Sequence, residues 1–257
     1  MIKAVFFDFD DTLFLHSIAD IPQSARAALR LLHEKGIKCI LCTGRHKLEL
    51  TCYENIRDVF FDAFITLDGQ LIYDSIWNET FSSPLEENTC RALREHFRNC
   101  VYPVKLVEKD RMFINFINDY VISSQTKINT AVPDVGVCGN EELYQAVAYV
   151  DEAGEKVLRS TMPEAYIARW SPLAVDIVSP GMSKSVGMEI YLSSAGIDRS
   201  ETMAFGDGEN DIPMMEYAGI GVAMGNAMDC VKSKADFVTG TAESNGIHDA
   251  LKHYGII

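Results

Sequence analysis

Two aspartates one residue apart close an apolar run that begins at Ala4: Ala4-Val5-Phe6-Phe7-Asp8-Phe9-Asp10-Asp11-Thr12. Ala4 to Phe7 is short, apolar and aromatic, which predicts a buried strand rather than a helix. At its carboxyl end three acids and a threonine crowd together, and like charges at such spacing are costly unless a cation or a shared proton relieves them. Carboxylate oxygens select hard cations. The strand end therefore points to a magnesium site and, through magnesium, to phosphate chemistry.

Three further motifs carry matching chemistry. Thr43-Gly44-Arg45 offers a hydroxyl, a bare backbone amide and a cation, all suited to phosphate oxygens. Ser183-Lys184-Ser185 stands at an expected helix start, where a lysine and free amides face an anion. Gly206-Asp207-Gly208-Glu209-Asn210-Asp211 supplies a second acid cluster. Asp-x-Asp-x-Thr fixes three residues and arises by chance in about a few per cent of chains this long, and the four fixed residues of Gly-Asp-x-x-Asn-Asp are rarer. Thr-Gly-Arg and a lone lysine are weak alone. The bland reading of any one acid is a helix cap or turn residue, and Asp211 ahead of Ile212-Pro213 fits it. Asp8, Asp10 and Asp207 do not, and the order of the motifs makes the combination specific.

The elements that must position these residues alternate at both ends of the chain. Pro22 to Lys35 reads as a helix, with Ala25, Ala28, Leu29 and Leu32 at helical spacing and Gly36 as its stop. Strands are predicted at Ile37 to Cys42 and Ala63 to Leu67, followed by an Asp68-Gly69 turn into Leu71-Ile72-Tyr73. From Lys184 onward the pattern resumes: helix to Ala195, strand Thr202 to Phe205, helix Ile212 to Tyr217, strand Ile220 to Ala223. A helix from Ala227 to Lys234, strand Phe237-Val238 and a helix from Ile247 to Tyr254 follow. Such alternation implies a doubly wound, mainly parallel α/β sheet, which gathers ligands at the carboxyl ends of its strands.

The middle reads otherwise. A helix from Leu85 to Arg98 precedes closely spaced strands at Val104 to Val107, Met112 to Ile117, Ala146 to Val150, Tyr166 to Trp170 and Ala174 to Val178. Strands so near in sequence pair antiparallel. The expected organisation is an α/β core of residues 1–82 and 183–257 interrupted by an α+β domain of residues 83–182.

Taken together, the four motifs resemble those of the haloacid dehalogenase superfamily of phosphotransferases, and within it the Cof-like sugar-phosphate phosphatases with a type II α+β cap. All four family motifs occur in order, across both core halves; the cap matches by size and position only. The resemblance implies Asp8 as nucleophile and Asp10 as general acid/base. It implies Thr43 and Lys184 holding the phosphoryl group, and a magnesium site of Asp8, Asp10, Asp207 and Asp211. Gly44, Arg45 and Asn210 are expected to touch substrate, with Asp68-Gly69 nearby. Arg111, Asn115 and Arg169 are cap-side candidates, each expected to be a surface residue more often than a contact. Asp11 stands where the family usually has glycine and is expected to face solvent. The inserted domain would select substrate by closing over the core and excluding water.

Bulk properties narrow the partners. The chain has 257 residues with 37 acids against 23 Lys and Arg, a formal charge of −14. That surface repels nucleic acid and anionic lipid, leaving a small phosphorylated metabolite as the expected substrate; no obligatory protein partner is inferred. Seven scattered cysteines and no secretory signal ahead of the acidic strand predict a cytoplasmic protein with reduced thiols. Cys39 and Cys42 lie three apart in a strand, so they point to opposite faces and are expected to be structural. His16, His33, His46, His96, His248 and His253 show no ligand spacing and are expected to be bystanders, while Trp77 and Trp170 are expected to pack.

The expected activity is thus a magnesium-dependent phosphatase acting on a small phosphorylated metabolite, a hexose phosphate first, through an aspartyl-phosphate. A phosphomutase would use the same Asp8. A non-catalytic phospho-acceptor of the receiver type would share the aspartates, hydroxyl and lysine but be about half this length.

Overall fold

The computed structural model describes residues 1–53, 56, 58–127 and 130–257. Its chain divides into two units, Met1–Ser82 with Met182–Ile257, and Ser83–Gly181.

In the first unit, strand β1 (Ala4–Phe7) is buried at every residue, as a continuous apolar run requires of a strand covered on both faces. Helix α1 (Gln23–Glu34), strand β2 (Lys38–Cys42), helix α2 (Lys47–Thr51) and strands β3 (Ala63–Thr66), β4 (Leu71–Asp74) and β5 (Glu79–Ser82) follow. After the second unit the chain returns as helix α6 (Lys184–Ala195), strand β11 (Thr202–Gly206), helix α7 (Ile212–Tyr217) and strand β12 (Ile220–Ala223). Helix α8 (Asp229–Lys232), strand β13 (Phe237–Val238) and helix α9 (Gly246–His253) end it. The strands form one sheet in the order β13-β12-β11-β1-β2-β3-β4-β5. Pairing is parallel from β13 to β3 and antiparallel for β4 and β5.

Alternate residues face alternate layers. Ala4, Phe6, Ile40, Cys42 and Ile65 pack with Met188 and Leu192 of α6 and Met214 of α7. None of the buried residues of α1 (Ala25, Ala28, Leu29, Leu32) joins that cluster; α1 packs instead on β2 and α9. Helices thus cover both faces, giving the doubly wound α/β architecture that the alternation predicts. Register brings the motifs to one edge: Phe7 pairs with Leu41 on one side and Phe205 on the other, so Asp8, Thr43 and Asp207 all begin just beyond their strands.

The second unit holds strands β6 (Val104–Glu108), β7 (Met112–Ile114), β8 (Leu143–Ala148), β9 (Tyr166–Ser171) and β10 (Ala174–Val178). They form a wholly antiparallel sheet in the order β7-β6-β8-β10-β9. Helices α3 (Glu87–Asn99) and α5 (Glu152–Thr161) cover one face through Leu93, Phe97 and Leu158 against Val104, Leu106, Val175 and Ile177. Helix α4 (Asp119–Lys127) lies over Val147, Tyr149 and Ala174 on the other.

Four elements differ from the sequence expectation by being unpredicted: α2, β5, α4 and α5. Helix α4 is rich in Ser and β-branched residues, so local propensity argues against it and the buried Val121 overrides it. Helix α5, capped by Asp151 and rich in Glu, Ala, Lys, Leu and Arg, is helical by propensity despite Gly154 and buries Leu158. β7 stops at Ile114, short of the predicted Ile117, because Asn115 turns inward and its side-chain oxygen accepts from the amides of Val104 and Phe116. All seven cysteines are free, and Cys39 and Cys42 are buried in β2. No helix among the described residues is long and apolar enough to cross a membrane.

One close approach orients α6. Gly69, at φ +99°, ends the turn after β3, and a Cβ there would come within 2.5 Å of the Ser183 carbonyl oxygen. A Cβ on Gly187 would reach 2.6 Å from Ile65 Cγ2 and 2.8 Å from Gly69 Cα. Two bare backbones therefore let the first turn of α6 sit directly on the β3 turn. Gly187→Val should overpack this contact at about 1–3 kcal/mol, read as a fall in thermal midpoint; an unchanged midpoint would show that the helix has slack there.

Candidate active site

Asp8 follows β1 and continues its ladder, its amide donating to the Phe205 carbonyl at 2.9 Å. Lys184 is the first residue of α6, whose amino end is capped by the Ser183 hydroxyl accepting from the Val186 amide. The Lys184 side chain is 1% exposed and donates to Asp8 Oδ1 at 2.5 Å and to Asp211 Oδ1 at 2.6 Å. Asp211 is fully buried, and its second oxygen accepts from the amides of Asp207 and Gly208, each at 2.9 Å. A Cβ on Gly206 would lie 2.4 Å from Asp211 Cβ, so the motif's first glycine is the room Asp211 needs. Thr12 donates its hydroxyl to Asp207 Oδ1 at 2.9 Å, and Asn226 Nδ2 reaches Asp207 Oδ2 at 3.3 Å.

Asp8, Asp207 and Asp211 can each aim one carboxylate oxygen so that the three lie within 4.8 Å of one another. Burial, reinforced by Asp211, pushes the Asp8 carboxyl well above the usual range despite Lys184 beside it. Burial also raises Asp207 to about 6; Thr12 opposes this, while Asp211 and Asp11 add to it. For Lys184, burial alone would lower the ammonium, but Asp211 and Asp8 together outweigh it and hold it charged. Three carboxylates share one buried cation, which leaves negative charge uncompensated. Hard oxygen donors at this spacing, short of positive charge, suit a small divalent cation.

Asp10, also expected at the ion, has its carboxylate outside that group of three. β1 ends at Phe7, so strand alternation does not carry Asp10 to the side of Asp8; Asp10 instead sits in a loop paired with Phe14. There Arg45 grips it with both prongs: Nε donates to Oδ2 and Nη2 to Oδ1, each at 2.7 Å. His16 Nε2 adds a third bond to Oδ1, also 2.7 Å. Arg45, expected to meet substrate, therefore has two donors engaged on Asp10, and its guanidinium lies near the rings of Phe9 and Tyr53. His16, expected to be a bystander, is thus in contact with this carboxylate.

The remaining candidates surround the acids. Thr43 is buried, its hydroxyl accepting from the Arg45 amide at 3.1 Å. A Cβ on Gly44 would approach Asp68 Oδ2 at 3.1 Å, and Asn210 Nδ2 donates to Asp68 Oδ1 at 3.1 Å, so one carboxylate links both motifs. Asp11 is exposed and adopts φ +54°. That left-handed backbone is one glycine adopts freely and aspartate tolerates. Its carbonyl accepts from Asn226 Nδ2 at 2.9 Å. Asn226 was not anticipated, since a lone Asn-Ala after a strand gives no signal until the fold closes it on Asp11 and Asp207.

In the second unit the three candidates serve their own framework. Arg111 pairs with Glu108, Asn115 Nδ2 donates to the carbonyls of Phe97 and Tyr102, and Arg169 donates to Glu155 and to the carbonyls of Val150, Ser171 and Pro172. Trp77 stacks on Phe64 at 3.9 Å and Trp170 donates to Asp176, so both are packing residues.

The chain is similar to known proteins in sequence and fold. A family model described as haloacid dehalogenase-like hydrolase matches residues 5–251. BT1666 of Bacteroides thetaiotaomicron, described among phosphatases of the haloalkanoate (HAD) superfamily, superposes with a TM-score of 0.88 at 34% identity, over 100% of this chain and 96% of its own. The HAD subclass IIB sugar phosphatase BT4131 gives 0.81 at 32% identity, over 99% and 100%. YitU of Bacillus subtilis, a 5-amino-6-(5-phospho-D-ribitylamino)uracil phosphatase, is 30% identical over 96% of this chain and 95% of its own. With a non-catalytic acceptor thereby set aside, the chain belongs to the haloacid dehalogenase-like hydrolases and is a phosphatase, a hydrolase of phosphoric monoesters.

Proposed function

We propose that the enzyme hydrolyses a small phosphorylated metabolite in the cytoplasm, a hexose phosphate first, through an aspartyl-phosphate on Asp8 with magnesium as cofactor. The observation that supports this most is Lys184 clamped between Asp8 and Asp211 with Asp207 alongside. Bound by Asp8, Asp207 and Asp211, magnesium would offset the repulsion between a carboxylate and a phosphate dianion.

The chain's own groups do the rest. Asp8 attacks phosphorus and holds the phosphoryl group as an acyl phosphate. Lys184 and the Thr43 hydroxyl stabilise the equatorial oxygens as the bond transfers. Asp10, held apart from the acid cluster, protonates the departing alkoxide and later takes a proton from the water that cleaves the acyl phosphate. Opposite proton transfers in the two steps let one carboxyl serve both. Gly44 and Asn210 border the site around Asp68. The sugar assignment rests on the likeness to BT4131, and the name of YitU adds ribitylamino-pyrimidine phosphates to the panel worth testing. Release of inorganic phosphate without isomer formation separates hydrolysis from mutase chemistry.

Asp8→Asn should reduce turnover of p-nitrophenyl phosphate by at least about a thousandfold while the fold survives in circular dichroism; near-normal activity would remove Asp8 as nucleophile. Asp207 sets a pH dependence. Its carboxyl is raised from 3.8 to about 6, so the folded state holds that proton more tightly than the unfolded chain. Without metal, its contribution to stability is therefore present below the lower value and lost as pH rises through the higher. Thermal midpoints of metal-free wild type should fall relative to Asp207→Asn across that window, and magnesium affinity should weaken as pH drops below about 6. Parallel midpoint curves for the two proteins would contradict this.

A further inference from the structure

We infer that His16 is a positioning residue for Asp10, selecting which carboxyl oxygen handles the proton. The inference rests on the reading of Asp10 as general acid/base. Arg45 treats the two Asp10 oxygens alike, donating once to each at 2.7 Å. His16 breaks that symmetry by donating to Oδ1 alone, at 2.7 Å. A carboxylate accepts only, so Nε2 of His16 carries the hydrogen in this contact. A carboxylate oxygen offers two lone-pair positions. Both are filled on Oδ1, whereas Oδ2 keeps one open for a proton. Oδ1 thus anchors the group, and Oδ2 is the oxygen that gives a proton to the leaving alkoxide and takes one from water.

His16 is itself held in place. Its ring stands edge-on to Phe14 at 5.4 Å, and Phe14 stacks on Phe9 at 4.9 Å. The Asp11 amide donates to the Phe14 carbonyl at 2.8 Å, which folds the loop so that residue 16 returns to residue 10. The His16 side chain is 42% exposed, so replacing it removes little of the core.

Leaving groups of different basicity supply the test. Departure of p-nitrophenolate needs little protonation, whereas departure of an alkoxide needs nearly all of it. His16→Ala should lose about tenfold more kcat/KM toward benzyl phosphate than toward p-nitrophenyl phosphate. His16→Gln, whose amide can still donate to Oδ1, should recover most of that difference. A merely structural role would lower both substrates together, and equal losses or no loss would overturn the inference. Asp10→Asn is measured alongside: selective loss there without selective loss in His16→Ala rejects His16 alone. Equal losses in Asp10→Asn reject the acid/base reading and His16 with it.

Discussion

A single buried ammonium between two buried carboxylates organises this enzyme. Lys184 has no solvent to compensate it, so its bonds to Asp8 and Asp211 are what permit its burial. The converse also holds: without Lys184, Asp8 and Asp211 would confront each other at short range in a site that already raises Asp8. The cluster remains short of positive charge by design of its composition, with Asp207 as a third acid. On the proposed mechanism that deficit is what a divalent ion and a transferring phosphoryl group exploit, because charge enters a frame already arranged to receive it.

Such a frame demands backbone accuracy, and the sheet and glycines provide it. Parallel register delivers Asp8, Thr43 and Asp207 to one edge from three adjacent strands and their following loops. Lys184 comes from a helix, so its reach depends on where that helix starts. Gly69 and Gly187 set that start by letting helix and turn touch without side chains between them. Gly206 does the same for Asp211 on a smaller scale. Packing in the core and charge in the site thus meet at three glycines: two fix where the helix of Lys184 starts, and the third leaves the room that Asp211 fills.

Much of this was legible in the residues. β1, α1, β2 and α6 follow from apolar runs and caps that are local, and the acids at strand ends follow from charge crowding alone. What escaped was non-local. The side chain of Asp10 is directed by Arg45, a residue 35 positions away, and by a loop whose return brings His16 back to it; no spacing rule reports either. Asn226 joins Asp11 to Asp207 only once the sheet is assembled. Helix α4 forms against its own propensity where Val121 packs on the antiparallel sheet of the second unit. Arg111, Asn115 and Arg169, expected as cap-side candidates, bond to Glu108, to backbone carbonyls and to Glu155.

The displacement of Asp10 has a chemical logic. Two carboxylates two residues apart, both facing a divalent ion, would both become ligands, and a liganded carboxylate is a poor proton carrier. Arg45 and His16 draw Asp10 out of the acid group and give it neutral-to-positive surroundings of its own. On the proposed mechanism this separates two duties that sequence spacing makes look alike: Asp8 faces the cation and the phosphorus, while Asp10 keeps an oxygen available for protons. Arg45 bonds to Thr43 through its amide and to Asp10 through its guanidinium. On the proposed mechanism one short turn of backbone would therefore serve both the phosphate, through the Thr43 hydroxyl, and the proton carrier, through the cation that holds Asp10.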